Sequence, residues 1–241
     1  MNFFISDLHF GHKNCLAFDN RPFKTIEEHD AYIIKAWNET VDLDDDVYIL
    51  GDISWHNSTK TIEIFKQLNG HLHLIKGNHD TTVLKNPALR ALFVEILDYK
   101  ELYLDKHTSV ILCHYPIPCF KNHYYGWYHL YGHVHSSFEW NMMENTKRLM
   151  TELYDKPCKM YNIGAMMSYI DYTPKTLEQI ISNKKEVYVS CPKCLIYSSK
   201  VEIMQNEEIV VSDDGAKSVI CSVCGNIINY DTIGGGTTCR P

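Results

Sequence analysis

The sequence predicts an α/β fold followed by a small second unit, and three observations carry that expectation. Short apolar runs alternate with helical segments through the front of the chain. Five of those runs end in Asp, Asn or His, as in layered sheets whose carboxyl edge carries a ligand site. The third observation is chemical: all thirteen histidines lie between His9 and His135, whereas two Cys-x-x-Cys pairs stand beyond residue 190. A length of 241 residues is enough for a real core, as one large domain or two unequal ones.

Residues 2–6 read as a buried strand, with Asp7-Leu8-His9-Phe10-Gly11-His12 at its carboxyl end. Thr25-Ile26-Glu27-Glu28 has capping-box form and opens a helix toward Thr40, with Ile26, Ile33, Ile34 and Trp37 near helical spacing. Asp44-Asp45-Asp46 reads as a solvated turn before the strand 47–50, which ends at Gly51-Asp52. A helix over 59–68 leads through Asn69-Gly70 into the strand 72–76 and then Gly77-Asn78-His79-Asp80. Further strands are expected at 94–98, 101–104, 109–113 and 128–132. The last two end in Cys113-His114 and Gly132-His133-Val134-His135.

Composition narrows the classes. No stretch approaches the ~18 apolar residues of a membrane span, and residues 1–7 show neither a basic start nor a long apolar segment. Nine cysteines, an odd count, argue against a secreted disulfide framework, so a reducing cytoplasm is the expected location. A net charge of −7 disfavours non-specific nucleic-acid binding.

Carboxylate, imidazole and carboxamide donors gathered in one cleft suit borderline divalent ions such as Mn²⁺, Fe²⁺ or Zn²⁺. Asp7-x-His9, Gly51-Asp52, Gly77-Asn78-His79-Asp80, His114 and Gly132-His133-x-His135 supply enough donors for two ions. A carboxylate between two cations offsets their repulsion, and Asp52 is the natural candidate. In this order the series resembles the calcineurin-like metallophosphoesterases, over about residues 1–181.

That resemblance implies a four-layer α/β/β/α sandwich in residues 1–185. It implies that Asp7, His9 and His135 hold one ion and Asn78, His114 and His133 the other, with Asp52 bridging. His79 corresponds to the family's catalytic imidazole, and Asp80 would orient it. His12 and Asn14 match the small bacterial and phage-type members and are candidates for phosphate-side contacts. His123, in the aromatic loop 122–127, is a candidate for the substrate mouth. The other histidines outside the pattern, His29, His56, His71, His73, His107 and His129, read as structural or surface residues.

The implied reaction is hydrolysis of phosphomonoesters or phosphodiesters, nucleotides among them, by hydroxide formed between the ions. His79 would stabilise or protonate the leaving oxygen. The longest gap between motif elements, the 44 residues separating Asp7 from Asp52, leaves no room for a large cap, so an open site is expected. Ala165-Met166-Met167 departs from small members, which often carry a carboxylate after Asn162-Ile163-Gly164. That departure leaves the metal ligands untouched. Two other classes stay open: a nuclease that engages nucleic acid through the tail, and a metal-binding regulatory module with weak turnover.

Residues 186–241 form the second unit. Cys191-Pro192-Lys193-Cys194 and Cys221-Ser222-Val223-Cys224 are 26 residues apart, a spacing that closes a tetrahedral Cys₄ site around one structural Zn²⁺. With strand-like runs at 201–203 and 209–211 and a turn at 213–215, the segment resembles a zinc ribbon. A short tail buries little core, so the metal would supply much of its folding energy. Seven acidic side chains to four basic ones favour protein contact or self-association there over nucleic-acid binding.

Overall fold

The computed structural model describes residues 1–81 and 83–183, with strand segments at 188–190, 197–199, 209–211, 217–220 and 227–230. Two four-stranded sheets form the front of the chain. In the first, β1 (Asn2–Ile5), β2 (Asp46–Ile49), β3 (His71–Ile75) and β4 (Phe93–Leu97) pair side by side and all run parallel. Parallel neighbours need crossovers, and α2 (Ile26–Asn38) and α3 (Ser58–Phe65) lie in the first two of them. The short α1 (Cys15–Phe18) precedes them and α4 (Pro87–Arg90) leads into β4. The Thr25 side chain accepts from the Glu28 amide, so the cap read in the sequence is formed.

In the second sheet, β5 (Tyr99–Tyr103) is antiparallel to β6 (Ser109–Cys113), while β7 (Tyr128–Tyr131) and β8 (Met160–Asn162) continue parallel. One hydrophobic cluster unites the two sheets, from Ile5, Ile49 and Leu74 to Leu112, Leu130 and Met160. Ile33 and Trp37 of α2 and Ile64 and Phe65 of α3 join it. The sheets are also stitched through backbone where β1 ends: the Ser6 amide donates to Ile163 O (2.9 Å), and the Ala165 amide to Ser6 O (2.8 Å). That seam puts the carboxyl ends of β1, β2 and β3 beside those of β6 and β7.

Three features differ from expectation. The longest helix, α5 (Phe138–Tyr154), and strand β8 carry no clear sequence signal. In α5 the apolar residues do not mark the buried face: Trp140 and Met150 are buried, whereas Phe138, Leu149 and Leu153 are exposed. The acidic run at 44–46 is not merely solvated. Asp45 is buried and accepts from the Asp42 amide (2.9 Å), and Asp46 meets His73 Nε2 (2.9 Å).

After α6 (Leu177–Asn183), the tail pairs β9 (Tyr188–Ser190) with β10 (Tyr197–Ser199), and β11 (Ile209–Val211), β12 (Lys217–Ile220) and β13 (Ile227–Tyr230) in order, all antiparallel. Cys191, Cys194, Cys221 and Cys224, the expected zinc ligands, lie outside the described residues. Among the described residues no helix is long and apolar enough to cross a membrane.

His129, within β7, is wholly buried as a neutral ring: its Nε2 accepts from the Ile117 amide (3.0 Å), so Nδ1–H faces Ile111 O (3.1 Å). Burial pushes its pKa from 6.5 down to about 4. The unfolded chain therefore takes up a proton here that the folded chain refuses. This contribution is complete above pH 6.5 and is lost as pH falls toward 4, by up to about 3 kcal/mol. Chemical denaturation as a function of pH is expected to show that loss, and His129→Gln is expected to flatten the same window.

Candidate metal centre

Each candidate donor sits just past the carboxyl end of a strand. Asp7 and His9 follow β1, Asp52 follows β2, Asn78 follows β3, His114 follows β6, and His133 and His135 follow β7. Side chains leaving a strand in extended conformation would point away from one another. The chain turns them back by taking left-handed backbone at Asp7, His9, Asp52, His133 and His135 (φ 49 to 69°). Non-glycine residues pay about 1–3 kcal/mol for such strained conformations, which cluster at functional sites. Close approach is paired with glycine: a Cβ at Gly77 would overlap Asp52 Oδ1, and one at Gly132 would overlap Ser6 Oγ and Asp7 Oδ2.

Asp7, Asp52 and His114 are all buried. The Asp7 carboxylate accepts the His133 amide (3.2 and 3.1 Å), which ties the first sheet's edge to the second's. Asp52 Oδ1 accepts the His79 amide (3.0 Å), leaving Oδ2 free to face His9 Nε2 at 3.9 Å and His114 Nε2 at 3.7 Å. Asp7 Oδ1 lies 3.9 Å from His9 Nε2 and 3.6 Å from His135 Nε2. Burial, with the Asp7 charge behind it, raises the Asp52 pKa to about 6 despite the opposing effect of His114.

Three imidazoles share one arrangement, in which Nδ1 is committed outward and Nε2 faces the carboxylates. His9 Nδ1 meets His12 Nδ1 (2.9 Å), His114 Nδ1 meets Leu50 O (2.6 Å), and His135 Nδ1 meets both oxygens of Asp19 (2.9 Å). The Leu50 carbonyl and the Asp19 carboxylate fix the tautomer that leaves Nε2 of His114 and His135 as a lone pair, the usual dress of a metal-bound histidine, and His9 takes the same form when His12 Nδ1 accepts. His9 Nε2 is buried and has no hydrogen-bond partner. In a neutral His114 ring, Nε2 faces Asn78 Oδ1 at 3.0 Å, and His133 Nδ1 reaches the same oxygen at 2.9 Å. The His114 lone pair and the Asn78 oxygen are two acceptors in contact, an arrangement that a cation relieves. Two groups, Asp7/His9/His135 and Asp7/Asp52/His114, have donor atoms within 4.8 Å of one another, so the residues present fit divalent ions.

Burial pushes the His9 pKa far below its ordinary value, with Arg21 and the neighbouring imidazoles adding to it. Burial acts the same way on His135, but the Asp19 hydrogen bond and the charge of Asp7 outweigh it and the net shift is upward.

The structure places four further expected site residues. Asp80 is buried, and its oxygens accept the amides of Asp52 (3.0 Å), Ile53 (2.9 Å) and Gly77 (2.7 Å). It braces the two loops, and the ring of the exposed His79 rests against Trp55 (4.6 Å) instead of on Asp80. His12 does join the site, on His9 and flat against Trp55 (4.1 Å, 4°). Asn14 is exposed at the start of α1 and makes no side-chain cap bond there. His123 lies on the loop entering β7 at its amino end, the opposite edge from the metal centre, where it shares a cavity with Lys156 and Lys159. The parallel direction of β6, β7 and β8 removes it from the substrate mouth.

Sequence reading missed Asp19, Arg21 and Trp55. Nothing local marks them, because Asp19 finds His135 across 116 residues and Trp55 acts through ring contacts with His9, His12 and His79. Asn162, within the closing segment, is buried; it donates to His135 O (2.7 Å) and accepts from the Gly164 amide (3.0 Å).

Residues 3–161 match the family profile described as calcineurin-like phosphoesterase. The chain belongs to this family. Its membership implies a metal-dependent hydrolase acting on phosphoric esters, and the two-sheet α/β fold agrees with it. An uncharacterised protein of Methanocaldococcus jannaschii is 31% identical over 181 residues, spanning 74% of this chain and 88% of that one. The gene 66 protein of Mycobacterium phage L5 is 36% identical over 129 residues, 47% of this chain and 62% of the phage protein. Among solved structures, a protein of unknown function from Aquifex aeolicus superposes with a TM-score of 0.56 at 26% identity. It covers 76% of this phosphoesterase chain and 98% of its own.

The glycine packing gives a direct check. Gly132→Ala is expected to cost about 1–3 kcal/mol by overpacking and to displace the Asp7 carboxylate. Denaturant unfolding and divalent-ion titration of the variant measure the two effects.

Proposed function

We propose that the chain is a two-ion phosphoesterase acting on phosphomonoesters or phosphodiesters, nucleotides among them. Asp7, His9 and His135 would hold one ion and Asn78, His114 and His133 the other, with Asp52 shared by both. The observation that carries this reading is the shared orientation of His9, His114 and His135, each with Nδ1 spoken for and Nε2 aimed at a buried carboxylate: His9 at Asp7 and Asp52, His114 at Asp52 and His135 at Asp7. Bound ions of the Mn²⁺, Fe²⁺ or Zn²⁺ class supply positive charge at the phosphoryl oxygens and acidify a water toward neutral pKa.

The chain's own groups do the rest. The backbone amides of His79 and His133 fix the rotamers of Asp52 and Asp7. Trp55 excludes water from one face of His9 and His12 and carries the His79 ring. His79 is exposed at the rim, where a protonated imidazole donates to the departing ester oxygen. With Nδ1 of His12 accepting from His9, its Nε2–H is left as a donor for a phosphate oxygen. In the tail, each cysteine pair falls in the chain between antiparallel strands, β9/β10 and β12/β13, which supports a Cys₄ zinc site. That unit serves protein contact or self-association.

A hydrolysis screen of phosphomonoesters, cyclic nucleotides, dinucleotides and single-stranded nucleic acid, with metal analysis of the same sample, tests the reading. Turnover with two ions at the front site is expected; metal-loaded protein that cleaves none of these esters overturns it. His79→Ala is expected to keep its ions and lose about 10²-fold or more in turnover. Asp52→Asn is expected to lose metal as well as activity, as read by metal content after dialysis.

A further inference from the structure

We infer that Arg21 is a positioning residue that builds one of the two ion sites and not the other. The inference rests on the two-ion reading above. Arg21 has a fully buried side chain, and a guanidinium offers five N–H donors in a rigid fork. All five are used. Nε and one Nη2 hydrogen go to Asp19 Oδ2 (2.9 and 2.8 Å), and the other Nη2 hydrogen goes to the backbone oxygen of Asp7 (3.1 Å). The two Nη1 hydrogens reach Leu8 O (3.2 Å) and His29 Nε2 (2.9 Å). For His29 to accept there, its Nδ1 must carry the proton, which donates to Asp30 Oδ1 (2.9 Å). Asp30 in turn accepts the Gly11 amide (3.0 Å) and contacts His56 Nε2 (2.9 Å).

These contacts converge on one set of donors. The carbonyls of Asp7 and Leu8 belong to the turn that takes left-handed backbone at Asp7 and again at His9. Gripping both carbonyls holds that strained turn in place. Asp19 is the anchor of His135 Nδ1, so the same guanidinium fixes the third donor of the group as well. Because Asp19 neutralises Arg21, the pair orients Asp7, His9 and His135 without adding net charge beside a cation. The donors assigned to the other ion are held by other means: His114 by Leu50 O, and the shared Asp52 by the His79 amide. Lysine keeps the charge but has three donors on a flexible stem and cannot make the fork.

The test uses the full chain, first metal-free and then titrated with Mn²⁺, comparing wild type, Arg21→Lys and Asp19→Asn. Far-UV circular dichroism and thermal midpoints of the metal-free proteins establish folding. Calorimetry then gives stoichiometry and affinity at the front site, and electron paramagnetic resonance distinguishes a spin-coupled Mn²⁺ pair from a single ion. Wild type is expected to bind a coupled pair. Arg21→Lys is expected to keep one ion at wild-type affinity and to bind the other about 10–100-fold more weakly, with an uncoupled spectrum at intermediate loading. Adding His114→Ala to Arg21→Lys is expected to weaken the remaining ion.

An Arg21→Lys chain that binds the coupled pair with unchanged affinities overturns the inference alone. If Arg21→Lys does not fold, Asp19→Asn decides. It leaves the grip on the Asp7 and Leu8 carbonyls but weakens both the charge pair with Arg21 and the His135 anchor, so one weakened ion supports the inference and two unchanged ions overturn it. A wild-type chain that binds no Mn²⁺ pair overturns the two-ion reading itself, and the inference with it.

Discussion

Two buried carboxylates, Asp7 and Asp52, face a common cluster of imidazoles at the edge where the two sheets meet, and the rest of the structure answers that juxtaposition. Like charges held together in a poorly hydrated place are costly, which is why the Asp52 pKa rises to about 6. Backbone amides offset part of the cost, from His133 to Asp7 and from His79 to Asp52. The imidazoles that surround the pair present lone pairs, so they do not complete the compensation. A net charge of −7 disfavours anionic substrates, but two divalent ions at this edge would reverse the local field.

Holding so unfavourable a cluster requires a rigid frame. Five strained residues are kept in place because their neighbours leave them no alternative: Asp7 N is bonded to Gly51 O, His9 N to Asp52 O, and the carbonyl of His135 is held by Asn162. Asp80 gathers three amides from two loops, and Arg21 uses every donor it has. The seam of Ser6 with Ile163 and Ala165 does the same on a larger scale, fixing the first sheet's edge against the second's. Strain at the ligands and density of hydrogen bonds behind them are two sides of one design.

Much of the strand framework was legible in the sequence, since runs such as 72–76 and 109–113 alternate with polar ends that stop a strand. The ordered donors were legible too, because Asp7-x-His9, Gly51-Asp52, Gly77-Asn78 and Gly132-His133-x-His135 are local spacings. What stayed hidden depends on distance or on mixed signals. Helix α5 exposes Phe138, Leu149 and Leu153 while it buries Trp140 and Met150, so its apolar residues do not mark the face that packs. Asp80 adjoins His79 in sequence, yet the turn after β3 sends its carboxylate to three amides. His123 precedes the Gly132-His133 element by nine residues and still sits at the opposite end of β7.

The sequence by itself determined which residues could bind divalent ions and in what order they leave the strands, because donor chemistry and strand ends are properties of short segments. Only the tertiary structure decided which atoms face one another: Nε2 of His9, His114 and His135 inward, the Asp80 carboxylate toward backbone, and the Asp19–Arg21 pair behind the first donors. Those choices are made by hydrogen bonds spanning from two to more than a hundred residues, and a tautomer or rotamer is set by the partner that arrives from across the fold. Residue type limits what a side chain can do, and packing against distant neighbours selects what it does.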